Sequence, residues 1–286
     1  MTPTIEQAYQ VCEDITRTRA RNFYYGIRLL PPPKRQALCA LYALSRRIDD
    51  IGDEEAPQDE KLAALTALRG ELADIDTSVD PVLVAVRDAA RRYPVPMPAF
   101  LELIDGVEMD VTGRTYDTFD DLVTYCRCVA GTVGRLCLGV FGSRPDPRAS
   151  QWADTLGIAL QQTNILRDIR EDLNAGRVYL PRRELDAFGV ELMLDERGNL
   201  VDKDGGLAAV IAACAQRARV WYAEGLRLLP LLDRRSAACT AAMAGIYRQL
   251  LARIAAEPSR VYHERLSLSG WQKARVAAWA LIGRGI

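Results

Sequence analysis

The stretch Gln161-Gln-Thr-Asn-Ile-Leu-Arg-Asp-Ile-Arg-Glu-Asp-Leu-Asn-Ala-Gly-Arg-Val-Tyr-Leu-Pro181 decides how the rest of this chain is read. Asn164, Asp168 and Asp172 recur at every fourth position. On an α-helix they share one face, each about 6 Å above the last at ~1.5 Å rise per residue. Ile165 and Leu166 flank the polar row on the same helix, so the row is expected to face an interior surface. Carboxylates at this spacing repel one another, and burying them unpaired costs far more, so a cation is their natural partner. Carboxylate and amide oxygens suit Mg²⁺, which keeps few protein ligands and completes its shell with water and phosphate.

A second acidic segment lies upstream, Tyr42-Ala-Leu-Ser-Arg-Arg-Ile-Asp-Asp-Ile-Gly-Asp53, in which Asp49 and Asp53 repeat the spacing and Asp50 stands beside them. Each segment carries arginine, Arg46 one turn before Asp50 and Arg167 next to Asp168. The guanidinium group is a fork for phosphate oxygens. One such acidic pair is ordinary on a solvated helix. Two of them, each set in aliphatic sequence and each beside arginine, describe a diphosphate site assembled around divalent cations.

These residues resemble the squalene and phytoene synthase family, which joins two prenyl diphosphates head to head. The resemblance rests on Tyr42 to Asp53, on Tyr125-Cys-Arg-Cys-Val-Ala-Gly-Thr-Val-Gly134, on Asn164 to Asp172 and on Gly176-Arg-Val-Tyr-Leu-Pro181. It runs over nearly the whole chain. Phe23-Tyr-Tyr-Gly-Ile-Arg-Leu-Leu-Pro31 and Asn164-Ile-Leu-Arg167 look most like the bacterial presqualene diphosphate synthases of hopanoid biosynthesis, since phytoene synthases more often place Ala where Leu166 stands.

The resemblance implies an all-α, single-domain helical bundle of the isoprenoid-synthase type with a central apolar cavity. It implies that Asp49, Asp53, Asn164, Asp168 and Asp172 bind Mg²⁺ or Mn²⁺, and that Arg21, Arg46, Arg167 and Arg265 hold diphosphate oxygens. Phe23, Asn22 and Gln161 are expected at the substrate, with Tyr42, Tyr125 and Tyr247 beside the allylic cation. The expected substrate is two molecules of farnesyl diphosphate and the expected product presqualene diphosphate, with no NADPH required for that half-reaction. One departure stands out: the family commonly has a Ser-rich phosphate-contacting segment before Phe23, where this chain has Arg19-Ala-Arg-Asn22. Squalene, dehydrosqualene and phytoene synthases remain alternatives, as do a terpene cyclase and a helical binding protein without catalysis. The motifs set neither the prenyl chain length nor the oligomeric state.

Composition narrows the field. The formal charge of -1 argues against a broad basic surface, hence against nucleic acid as a partner. Seven cysteines without zinc-type spacing, at positions 12, 39, 126, 128, 137, 214 and 239, read as reduced core thiols. His263 is the only histidine, which excludes a histidine triad or zinc cluster within one chain. The N-terminal residues have neither a basic start nor an apolar core, so a cytoplasmic protein is expected. The C-terminal segment combines Trp271, Val276, Trp279 and Leu281 with Lys273, Arg275 and Arg284, which suits either peripheral contact with a membrane or packing on the bundle.

Helical periodicity punctuated by proline and capping residues predicts helices over 5–18, 34–50, 59–73, 81–92, from Pro98, from Thr118, over 207–229, 236–256 and 270–282. Residues 192–206 break the pattern, and a short hairpin or a flap is expected there. The small residues of Ala130-Gly-Thr-Val-Gly134 suit close helix packing or the wall of a prenyl channel.

Overall fold

The structure, a computed structural model, describes residues 3–20 and 22–283. The longest helix is α9 (Ala149–Asn174), whose 26 residues span about 39 Å. Small and apolar residues cover most of its circumference, so it is packed on nearly all sides and the bundle is built around it.

Before it come α1 (Ile5–Arg19), α2 (Phe23–Ile27), α3 (Pro32–Asp53), α4 (Gln58–Ala73), α5 (Pro81–Arg92), α6 (Pro98–Val111), α7 (Phe119–Cys126) and α8 (Thr132–Phe141). After it come α10 (Arg182–Ala187), α11 (Gly206–Gly225), α12 (Arg234–Ala256) and α13 (Gly270–Leu281). Starts follow local chemistry. Thr4 with Gln7, Thr118 with Asp121 and Ser269 with Gln272 form reciprocal capping boxes. Asp80 and Asp233 accept from two backbone N–H groups each, and proline opens α3, α5 and α6.

Four expectations change. Helix α3 runs to Asp53 rather than Asp50, so Asp49 and Asp53 share one continuous helix face. Phe23–Ile27 is a short helix that periodicity does not announce. The regular helix expected through 130–134 is preceded by a π-helical turn, Arg127–Gly131, closed by the Thr132 N–H donating to the Arg127 carbonyl. Such turns re-aim side chains and are frequent at functional sites. In 192–206 the pairing amounts to one antiparallel bridge, Leu194 with Leu200, closed by a turn in which Asp195 accepts from the Arg197 and Asn199 N–H groups.

Two apolar clusters form the interior. One gathers α1, α3, α5, α6 and α8 and includes Leu44, Ile48 and Phe100; the other gathers α9, α11 and α12 and includes Leu166, Ile211 and Leu250. Glycine allows the closest approaches. A Cβ at Gly134 would meet the Ala153 carbonyl oxygen at 2.2 Å, and one at Gly157 would meet the Ala130 carbonyl oxygen at 2.2 Å. The backbones of α8 and the π turn therefore lie directly on α9.

Candidate active site

The last two turns of α3 present Arg46, Asp49 and Asp53 to a polar cup of about 300 Å³, and α9 presents Gln161, Asn164 and Asp168 from the other side. Asp172, Arg167 and Arg177 complete that wall. The i,i+4 spacing thus delivers both acidic rows to one space, as the sequence implies. Asp50 is excluded from it. Its carboxylate is held by Arg46 one turn back and by Arg19 at 3.4 Å.

The carboxylates are not equivalent. Burial pushes Asp49 up to about 7, with Asp53, Asp110 and Asp50 adding to the shift and Arg46 opposing it. Asp172 is likewise raised to about 7, by burial first and by Asp168 next, against Arg177. Asp168 goes the other way. Burial would raise it, but Arg167 and Arg265 outweigh burial and hold it below the usual carboxylate range. Arg265 donates from Nε to Oδ1 at 2.7 Å and from Nη2 to Oδ2 at 3.0 Å, while Arg167 donates from Nε to Oδ1 at 2.7 Å and also contacts Oδ2. Asp53, at the exposed rim, accepts from Arg177 at 3.2 Å.

A third acid lies between the rows. Asp110, on α6, accepts from the Tyr125 hydroxyl at 2.9 Å and from the Tyr179 hydroxyl at 2.8 Å, and the two rings stack with centroids 5.1 Å apart. Its carboxyl is raised, mainly by burial, with the two hydroxyls opposing. Burial and the nearby Asp110 push the Tyr125 hydroxyl far above its ordinary range, so it keeps its proton at neutral pH. Tyr179 arrives because the chain reverses after α9 at Gly176, whose φ of 75° favours glycine, and the Arg177 N–H closes the turn on the Asp172 carbonyl at 2.8 Å. The segment Asp105 to Asp110 resembles a family segment whose acidic residues help hold the site, without marking Asp110 as a ligand, and the sequence reading gave Arg177 and Tyr179 no individual role. The signal for the last two was their place directly after the acidic helix, within Gly176 to Pro181.

The cup opens into an apolar chamber of about 230 Å³, and the two share Arg46, Asp49, Val129, Gln161 and Asn164. Phe23, Tyr42, Val133, Leu160 and Met243 are among the chamber walls. Tyr247 stacks on Phe23 with centroids 5.8 Å apart, so it backs that wall. Tyr42, 6.5 Å from the same ring, has its hydroxyl pushed up to about 12 by burial.

Not every expected residue converges here. Arg21 lies outside the described residues. Asn22 stands just before α2, half-buried, and lines neither space. Arg265 reaches the site only through Asp168, with 57% of its side chain exposed.

The metal expectation can be tested against the donors. Among the described residues no three His, Cys, Asp or Glu side chains form a ready-made cage. Oxygen donors in need of a cation are nevertheless present. The Asn164 Oδ1 is buried with no hydrogen-bond partner, and Asp49 and Asp172 both resist ionisation at neutral pH. This suits a divalent ion that brings water and phosphate oxygens to complete its shell rather than one enclosed by protein.

An all-α bundle with two acidic helix faces and arginines at the mouth of an apolar chamber defines a protein for diphosphate esters of apolar chains. The chain belongs to the squalene/phytoene synthase family, which it matches over residues 16–272. It is 60% identical over 277 residues to a phytoene synthase of Mycobacterium tuberculosis, covering 97% of this chain and 91% of that one. In fold it is similar to the crystal structure of a dehydrosqualene synthase in complex with a ligand, with TM-score 0.84, 28% identity and 96% of each chain covered. It is also similar to the squalene synthase HpnC from Alicyclobacillus acidocaldarius, with TM-score 0.77, 33% identity and coverage of 87% of this chain and 94% of that one.

Proposed function

We propose that this prenyltransferase joins two geranylgeranyl diphosphates head to head to give phytoene, releasing both diphosphates and using no reductant. The observation that carries the reading is the continuity of the two spaces: the polar cup and the apolar chamber share Asp49, Asn164 and Gln161, so a diphosphate and its prenyl chain fit in line. The chain length rests on the 60% identity to a phytoene synthase. The farnesyl reading rests on the likeness of Phe23 to Pro31 and of Asn164 to Arg167 to presqualene diphosphate synthases. Of those residues, Phe23 and Asn164 line the chamber, whereas Leu166 is 1% exposed and lines neither space. Presqualene diphosphate formation is the second reading, favoured by those two segments.

In this account Arg46, Arg167, Arg177 and Arg265 hold diphosphate oxygens, exchanging the carboxylate partners they have without substrate. Asp49, Asp53, Asn164, Asp168 and Asp172 would hold divalent ions, which supply positive charge against the departing diphosphate. The chamber excludes water from the allylic cation, and the faces of Phe23 and Tyr42 support its charge. Asp110 orients the Tyr125 hydroxyl, and that pair is placed to help take the proton whose loss, after the alkene of the second substrate has attacked the allylic cation, closes the cyclopropane ring.

Incubation with Mg²⁺ and either farnesyl or geranylgeranyl diphosphate, without NADPH, tests this directly. A C40 hydrocarbon with two diphosphates released per product is expected. A C30 product retaining one diphosphate, with the C20 substrate left unused, would establish the presqualene reading instead. A C15 hydrocarbon or alcohol would indicate a cyclase, and no diphosphate release with any substrate would end the enzymatic reading.

A further inference from the structure

Away from the active site, an open groove of about 570 Å³ runs between α11, α12 and α13. Its apolar lining includes Leu226, Leu251, Val276 and Trp279, and Arg219 and Arg248 are also in the lining. Helix α13 has two faces. Val276, Ala277 and Ala280 are buried against the bundle. The opposite face carries Trp271, Arg275 and Trp279 at i, i+4 and i+8, with Ile282 just past the helix end. Trp271 is 75% exposed, Trp279 45% and Ile282 61%, and on α11 Val220, next to Arg219, is 63% exposed. A helix that merely closed the bundle would turn polar residues outward.

Among the described residues, Arg219, Arg248 and Arg275 on this side form no ion pair with a carboxylate. Neither α12 nor α13 contains Asp or Glu, although the chain as a whole carries a formal charge of -1. Arginines elsewhere are mostly paired with carboxylates, as in Arg217 with Glu184 or Arg135 with Asp154. Here, Arg219 donates to Gln216, Arg253 to the Ser267 carbonyl, and Arg275 lies 5.3 Å over the Trp279 ring. Positive charge interleaved with exposed indoles is the chemistry of an anionic lipid interface, where tryptophan sits at headgroup depth and arginine reaches lipid phosphates.

We propose that the α11–α13 face docks on an anionic lipid bilayer, with Trp271, Trp279 and Ile282 entering the interface and Arg219, Arg248 and Arg275 meeting the headgroups. This goes beyond the catalytic reading and is tested without prenyl substrate, so the two can fail separately. The full chain is floated with phosphatidylcholine vesicles with or without phosphatidylglycerol, at low and high salt. Flotation is expected only with the anionic vesicles and is expected to fall with salt. Trp271→Ser with Trp279→Ser should weaken partition by about tenfold. Each of Arg219→Gln, Arg248→Gln and Arg275→Gln should weaken it by about fivefold, whereas Arg17→Gln and Arg91→Gln, at exposed arginines elsewhere, should not. Circular dichroism and turnover on detergent-dispersed substrate confirm that the variants are folded. Equal binding to neutral vesicles, or unchanged binding by these variants, would overturn the proposal. So would self-association of the lipid-free chain that the same substitutions abolish, because the face would then be a protein interface.

Discussion

Asp49 and Asp168 have opposite electrostatic situations at one site, and substitution should separate them. Both are expected to lose turnover when changed to Asn, by more than about a hundredfold if each supplies charge against the leaving group. Their effects on stability should diverge. Asp49 is raised to about 7 in the folded chain, so the stability it contributes is present in acid and lost as pH rises from about 4 through 7. In metal-free buffer at about pH 8, Asp49→Asn should therefore raise the unfolding midpoint, and at about pH 5 change it little. Asp168→Asn should lower the midpoint, because it strips a full counter-charge from Arg167, whose side chain is only 9% exposed. Thermal unfolding at the two pH values checks both, and a lower midpoint for Asp49→Asn at the higher pH would contradict the account. At Tyr125, the Phe substitution removes one hydrogen bond to Asp110 while keeping the stacked ring. It should cut kcat more than it raises KM, since the hydroxyl acts on the cationic stage rather than on ground-state binding.

Among elements, the seam between α9 and the π turn has the least tolerance. Gly157→Ala puts a methyl within 2.2 Å of the Ala130 carbonyl oxygen, and neither backbone can give way without moving Val129 and Ala130, both of which line the chamber. A loss of about 1–3 kcal/mol in denaturant unfolding is expected, together with reduced turnover. The start of α12 is a separate device. Asp233 accepts from the Arg235 and Ser236 N–H groups and pairs with Lys34 at 2.7 Å, which ties the first turn of α12 to α3. Burial opposes its ionisation, but Lys34 and Ser236 prevail and hold its carboxyl well below the usual range. The stability it gives is thus present above about pH 4 and lost as pH falls through the lower folded value. Asp233→Ala should cost about 1 kcal/mol at neutral pH, and the gap from the parent chain should close in strong acid.

For the whole molecule, ligand linkage offers the broadest check. If the cup takes diphosphate together with a divalent ion, Mg²⁺ and inorganic pyrophosphate together should raise the melting temperature by more than the sum of their separate shifts. A ligand at a hundredfold excess over its Kd stabilises by about 2.7 kcal/mol, enough for a resolved shift in calorimetry. Additive or absent shifts would show that the two do not share a site. None of the described helices is long and apolar enough to cross a membrane.

Periodicity was enough to make the chain all-α, because helical registers and caps are local: Thr118 with Asp121 and Ser269 with Gln272 sit where their spacing puts them. The same holds for the two acidic rows, since i,i+4 spacing on a helix leaves a side chain only one face to occupy. What tertiary structure alone decided were the long-range partners. Asp110 joins Tyr125, 15 residues away, to Tyr179, 69 residues away, and Arg265 reaches Asp168 across 97 residues. No local pattern encodes such pairings. Nor could spacing reveal that Asp50 turns away to Arg46 and Arg19 while its neighbour Asp49 faces the cup. Consecutive residues lie about 100° apart around a helix, and only the packing of α3 against its neighbours determines which of them looks inward.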